Sequence, residues 1–190
     1  MIEKAYTKTS IGQCHYRYQS GKGIPIVFLH QTPSSSLMYE KLISLLPQNT
    51  CIAIDTPGFG MSDDISGNPN IEDYGNCIAE ALESLDIKEF HLIGHHSGAS
   101  IALHLENKYK NLVVSLTLIG AFLATKEEKE MMKNQTGLDW SPKEDGTHLM
   151  NAWKLAGDIL GAGENIALRQ RETLDAIRAE ASAKQMHDAV

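Results

Sequence analysis

The sequence predicts an α/β protein: a predominantly parallel sheet with flanking helices, ending after about its sixth strand and followed by a helical cap segment. Short apolar runs of strand length alternate with segments whose apolar residues recur at helical spacing, the order that builds parallel sheets. The run Ile24-Pro25-Ile26-Val27-Phe28-Leu29 is apolar throughout, as a strand covered on both faces must be. No β-branched run occurs after Phe122, so the chain divides into a core over 1–121 and a cap over 122–190.

Residues 2–9 and 14–19 alternate as two early strands, and Gly21-Lys22-Gly23 is the turn that ends them. The third strand is 24–29. A helix is expected from Ser35 to Leu46, with Leu37, Leu42, Leu45 and Leu46 on its apolar side. Cys51–Ile54 forms the next strand, closed by the loop Asp55-Thr56-Pro57-Gly58-Phe59-Gly60. Ile71, Tyr74, Ile78, Leu82 and Leu85 recur at helical spacing. Phe90–Ile93 is a strand, Ala99–Lys108 a helix, and 112–119 a strand. In the cap, one helix is expected from Glu164 to about Met186, and the charges from Lys126 to Lys133 read as a solvated helix face.

Composition narrows the function. With 42% apolar and 22% charged residues the chain has the make-up of a globular domain. A net charge of −7, with no long basic run, argues against a nucleic-acid partner. No stretch approaches the roughly 20 apolar residues that span a bilayer, and the start lacks a signal peptide's apolar core, so a cytoplasmic location is the expectation. Cys14, Cys51 and Cys77 are odd in number and widely spaced, which fits buried reduced thiols rather than disulfides or a zinc site.

The chemistry-bearing motif is Leu92-Ile93-Gly94-His95-His96-Ser97-Gly98-Ala99, between a strand and a helix. A sharp strand-to-helix turn that presents a nucleophile needs small residues two before and two after it. Gly94 and Gly98 meet that need when the central residue is His96. Centring on Ser97 instead puts His95 and Ala99 at the small positions, and the bulk of His95 crowds the turn. Two further motifs follow earlier strands: His30-Gln31-Thr32-Pro33, and Asp55 to Ser62.

Together, in this order, the three motifs resemble the α/β-hydrolase superfamily over residues 1 to about 121. The elbow resembles G-x-S-x-G with histidine in place of serine. The run from His30 to Tyr39 is similar to the corresponding loop of haloalkane dehalogenases, with Thr32 at their halide-binding asparagine and Gln31 in place of the usual glycine. The resemblance implies an oxyanion hole made by the backbone N–H groups of Thr32 and Ser97. His30, Gln31, His95, Gly94 and Gly98 then line or shape the pocket, and Asp55 with its glycines shapes a turn.

The family places an acid and a histidine on loops after later strands. His104, His148 and His187, and the downstream aspartates, instead fall on helical segments, so most of the triad is expected to be absent through truncation or supplied in a way the sequence does not show. Adjacent His95 and His96 point to opposite sides of a strand, so no metal site is expected, and no cofactor motif is present. His91 is expected to be structural.

Three readings follow. The first is a hydrolase of a small, fairly apolar substrate, most simply an ester, with His96 as nucleophile or general base. The second is a catalytically silent relative that binds a small ligand in the same pocket. The third is a piece of a longer hydrolase. The uncharged, β-prone strand 112–119 is also expected to self-associate through its open edge.

Overall fold

A computed structural model describes residues 1–121 and 139–190; the charges expected on a helix over 126–133 lie outside the described residues. Six strands form one sheet in the order β1-β2-β4-β3-β5-β6. They are β1 (Glu3–Lys8), β2 (Gln13–Gln19), β3 (Lys22–Leu29), β4 (Asn49–Ile54), β5 (Phe90–His95) and β6 (Val113–Ile119). β1, β2 and β4 pair antiparallel, while β4, β3, β5 and β6 run parallel. The mostly parallel sheet expected from sequence is what forms.

Strand alternation sorts the core into two layers. Val27, Leu29, Ile52, Ile54 and Leu92 face one side, packed with residues of α2 (Ile71–Ser84) and α3 (Ser97–Lys108). Phe28, Cys51 and Ala53 face the other side, against Tyr39 and Ile43. The second helix starts at a capping box, in which Asn70 and Asp73 satisfy each other's backbone amides.

Two helices differ from the sequence reading. The segment expected as one helix from Ser35 to Leu46 is a 3₁₀ turn, Ser36–Tyr39, followed by a five-residue helix α1 (Glu40–Ser44). The tighter first turn shifts the phase of the face. Tyr39 and Ile43 are buried, while Leu42 and Leu45, expected inside, are exposed. The helix expected over 164–186 is two, α5 (Ile166–Arg178) and α6 (Glu180–Ala189), parted at Ala179, whose φ of −99° and ψ of 17° break the helical path. A further helix, α4 (Thr147–Asp158), packs on α5.

The helices after residue 139 share the core of the sheet. Ala179, Ala183 and Met186 belong to the same buried cluster as Phe59 and Tyr74. Polar contacts hold α5 and α6 to the loops that follow β3 and β4. Ser35 Oγ donates to Asp175 at 2.7 Å, Arg178 reaches Asp64 at 3.0 Å, and Gln185 donates to Gly67 O at 3.0 Å. These loops lie at the C-terminal ends of the parallel strands. There the order reverses between β3 and β5, the place where open α/β sheets bind ligands.

Candidate active site

The turn from β5 into α3 carries the most unusual backbone of the site. His96 adopts φ 52° and ψ −114°, a positive φ that only one other described non-glycine residue, Asp86, shares. Such backbone strain in a histidine persists where the surrounding packing over-determines it, and it clusters at functional sites. The packing here is explicit. A Cβ on Gly94 would lie 2.4 Å from the carbonyl oxygen of Gly98, and a Cβ on Gly98 would lie 2.4 Å from that of Leu29. Neither position admits a side chain, so the two small residues flank His96, as its register requires. The His96 amide donates to Ile119 O at 2.9 Å, which ties the turn to the end of β6.

The His96 side chain is open to solvent at the C-terminal end of the sheet. Desolvation by neighbouring atoms still lowers its pKa below the ordinary imidazole value, so the ring is neutral at neutral pH. His95 is half-buried and lowered as well, by burial first and then by His96.

The two residues expected to supply an oxyanion hole make a contact the sequence reading did not include. Thr32 and Ser97 do come together, but not as a free pair of donors. The Thr32 amide donates to Ser97 Oγ at 2.9 Å, and the two hydroxyls share a hydrogen bond of 2.8 Å. The reason is packing: α3 starts hard against the Leu29 and His30 carbonyls, which presses the buried Ser97 hydroxyl onto the following loop. The Ser97 amide opens α3, where helix geometry leaves amides without intrahelical partners, while the Thr32 amide is held by the Ser97 hydroxyl.

His30 braces the loop. Its Nε2 accepts the Thr56 amide at 3.0 Å, so its proton sits on Nδ1, which donates to Gln31 O at 2.9 Å. Burial keeps this ring neutral, and its edge rests on Phe59. The Gln31 carbonyl also accepts the Ser34 amide at 2.9 Å. Asp55 is the hub of the neighbouring loop. It accepts from His15 Nδ1 at 2.7 Å, the Ser36 amide at 2.6 Å and the Met61 amide at 2.9 Å. Burial alone would raise its pKa; these bonds and the nearby His30 override that and hold it at about 2. Gly60, at φ 54°, has no room for a Cβ beside the Asp55 carboxylate.

Three groups come to this end of the sheet on α5 and α6: His187 and Asp175, which sequence reasoning set aside as helical, and Glu172, which it missed. Burial first and then His96 lower the pKa of His187. Asp175 is bound by Ser35, and burial first, then Glu172 and Asp55, raises its pKa to about 6. Glu172 is buried, with Oε1 held by Arg171 and Oε2 without a partner. The available signal was spacing: Glu172 and Asp175 are one helical turn apart, on the side of α5 that buries Thr173 and Ala176. Among the described residues no three His, Cys, Asp or Glu groups converge as metal ligands, and no helix is long and apolar enough to cross a membrane.

A mostly parallel sheet, a strained strand-to-helix turn between two obligatory glycines, and a loop after β3 packed against it define the α/β-hydrolase architecture. Residues 24–142 match the alpha/beta hydrolase fold family, and the chain belongs to it. Among curated proteins it is similar to 2-(acetamidomethylene)succinate hydrolase of Mesorhizobium japonicum, at 33% identity over 102 residues, which are 53% of this chain and 37% of that protein. It is also similar to Haloalkane dehalogenase 2 of Mycobacterium bovis, at 30% identity over 104 residues, 54% of this chain and 36% of that one. The matched part thus spans little more than a third of these relatives' length. Among solved structures, an epoxide hydrolase from Vigna radiata superposes with a TM-score of 0.79 at 13% identity, covering 99% of this chain and 70% of that one. That likeness concerns the fold.

Proposed function

We propose that this protein hydrolyses a small, fairly apolar substrate with an ester-like bond, and that His96 is the reactive residue. The observation that supports the reading is the strained His96 backbone between Gly94 and Gly98, at a strand-to-helix turn of the kind on which the family carries its nucleophile. Because its pKa is lowered, the ring is neutral at physiological pH and has a lone pair available. It can attack the carbonyl carbon directly or take a proton from an attacking water. The Ser97 amide is placed to donate to the oxygen as it gains charge.

The test is turnover of short-chain p-nitrophenyl esters by the chain and by His96→Ala. The expected result is measurable hydrolysis that His96→Ala abolishes, with kcat/KM rising as pH increases to a plateau and an acid limb centred below the ordinary imidazole value of about 6.5. Hydrolysis that survives in His96→Ala would overturn the role of His96.

One observation favours a second reading, a ligand-binding relative without catalysis: the Thr32 amide is already taken by Ser97 Oγ. An oxyanion hole short of one donor loses roughly 10²–10³ in rate. A ligand that raises the melting temperature saturably, with no turnover of any ester, would establish that reading.

A further inference from the structure

Strand β6 is the last in the sheet: it pairs with β5, and no described strand lies beyond it. A bulge where Phe90 and His91 face Val113 and Ser115 leaves residues 115–119 as its regular part. The carbonyl of Ile119 accepts the His96 amide at 2.9 Å, so Ile119 turns its backbone polar groups toward β5. Successive residues of a strand turn theirs to opposite sides. Ser115 and Thr117 therefore face β5 as Ile119 does, while Leu116 and Leu118 each turn an N–H and a C=O to the open edge. Such an edge is a template for another strand, and no charged residue of β6 guards it.

The side chains specify which strand fits. Ser115, Thr117 and Ile119 stand on the face of His91, Ile93 and His95, and all three are exposed there. Leu116 and Leu118 stand on the other face, against the main core cluster. A two-fold axis through Thr117 lays a second copy antiparallel along this edge. Leu116 of each copy then faces Leu118 of the other, and each such pair exchanges both of its outward hydrogen bonds. Thr117 faces its own counterpart, hydroxyl to hydroxyl, and Ser115 faces Ile119. A shift of one residue would turn the matched side chains to opposite faces. A shift of the axis to Leu116 or Leu118 would pair only one leucine of each copy within the regular strand.

We propose that this edge is an interface between two copies of the chain, which join their sheets into one by antiparallel pairing about Thr117. The partner is a second copy because the strand matches itself: the outward leucines satisfy each other, the hydroxyl on the axis meets an identical hydroxyl, and the net charge of −7 brings no like charges together within the strand. An isologous contact of this kind closes at the dimer. The pairing also steadies Ile119, whose carbonyl holds the His96 turn. The interface stands apart from whatever chemistry His96 performs.

Sedimentation of the chain over a range of concentrations should pass from monomer to dimer and stop there. Thr117→Lys and Thr117→Glu each set two like charges face to face on the axis, and each should raise the dimer dissociation constant at least about tenfold. An equimolar mixture of these two variants should dimerise again, because opposite charges then face each other. Thr117→Cys should cross-link to itself with diamide as oxidant, since directly opposed residues of a non-hydrogen-bonded pair lie within reach of a disulfide. Ser115→Cys, which opposes Ile119, should not, and the native Cys14, Cys51 and Cys77 are buried. Melting temperatures at the lowest concentration check that the variants fold, and the cysteine pair decides if the charged variants do not. A parent that stays monomeric, a mixture that associates no more tightly than its components, or equal cross-linking of the two cysteine variants would overturn the interface. Growth beyond the dimer would overturn the two-fold register.

Discussion

At the scale of single residues, this protein concentrates its constraints in a few side chains that shape loops. Asp55 accepts three hydrogen bonds in the buried floor beneath the site, and its carboxyl is held at about 2. Removing the carboxylate leaves buried N–H donors without their acceptor, at about 1–3 kcal/mol for each one left unmet. Asp55→Ala should therefore lose stability on that order in chemical denaturation, through His15, the Ser36 amide and the Met61 amide together. A loss under about 1 kcal/mol would mean that the loop reorganises around water. Ser97 shows how a hydroxyl redirects a backbone group. Its side chain holds the Thr32 amide, so it acts on the loop as well as through its own N–H.

At the scale of elements, the question is how α5 and α6 stay on the sheet. Gly58, at φ 84°, lets α6 approach until a Cβ there would lie 2.3 Å from Ser182 Oγ. Arg178 and Gln185 add bonds to the loop after β4. Asp175 is the element's titrating contact. Its pKa of about 6 when folded stands above an ordinary unfolded value of about 3.9, so the folded state binds the proton more tightly. Its stabilising contribution is full below the unfolded value and is lost as pH rises through about 6. Asp175→Asn keeps an acceptor for Ser35 and removes the titration. The variant should be more stable than the parent at pH 7.5 by roughly 1–2 kcal/mol, with the difference shrinking toward pH 4. Comparing the two proteins also cancels the opposite slope from His30 and His96, which are lowered. Parallel stability curves would show that Asp175 has no part in docking α5.

At the scale of the whole molecule, the two edges of the sheet differ in charge. At one edge β1 pairs with β2 alone among the described strands and carries the charges of Glu3, Lys4 and Lys8, which discourage further pairing. At the other, β6 pairs with β5 and has no second strand neighbour among the described residues. Val114 and Ile119 are exposed on it, at 49% and 45%, and Val113–Ile119 contains no charge. The described helices do not act as its cover; α5 and α6 dock instead on the loops at the strand ends. An uncharged, β-prone edge of this kind recruits other chains. We expect sedimentation of the chain to depend on concentration, and Val114→Lys to weaken that dependence by charging the edge. A parent that stays monomeric across concentrations would show that the edge is sealed.

The sequence by itself determined the order of strands and helices, because alternation and helical periodicity are local properties of the chain. It also determined the elbow register. Glycine is the residue that fits where a neighbouring backbone carbonyl lies 2.4 Å from the missing Cβ, so Gly94 and Gly98 mark His96 between them. The phase of the helix after β3 was not legible, since a 3₁₀ turn forms there where Ser36 is tied to Asp55 and Arg17. Nor was the fate of the Thr32 amide, which Ser97 captures from 65 residues away. The place of Glu172 and Asp175 depended likewise on a contact spanning 140 residues, from Ser35 to Asp175. Periodicity tells which face of a helix is buried, but not against what. Only the tertiary structure chooses the partner, and in this protein that choice decided which loop amide Ser97 holds and which Glu172 oxygen has no partner among the described residues.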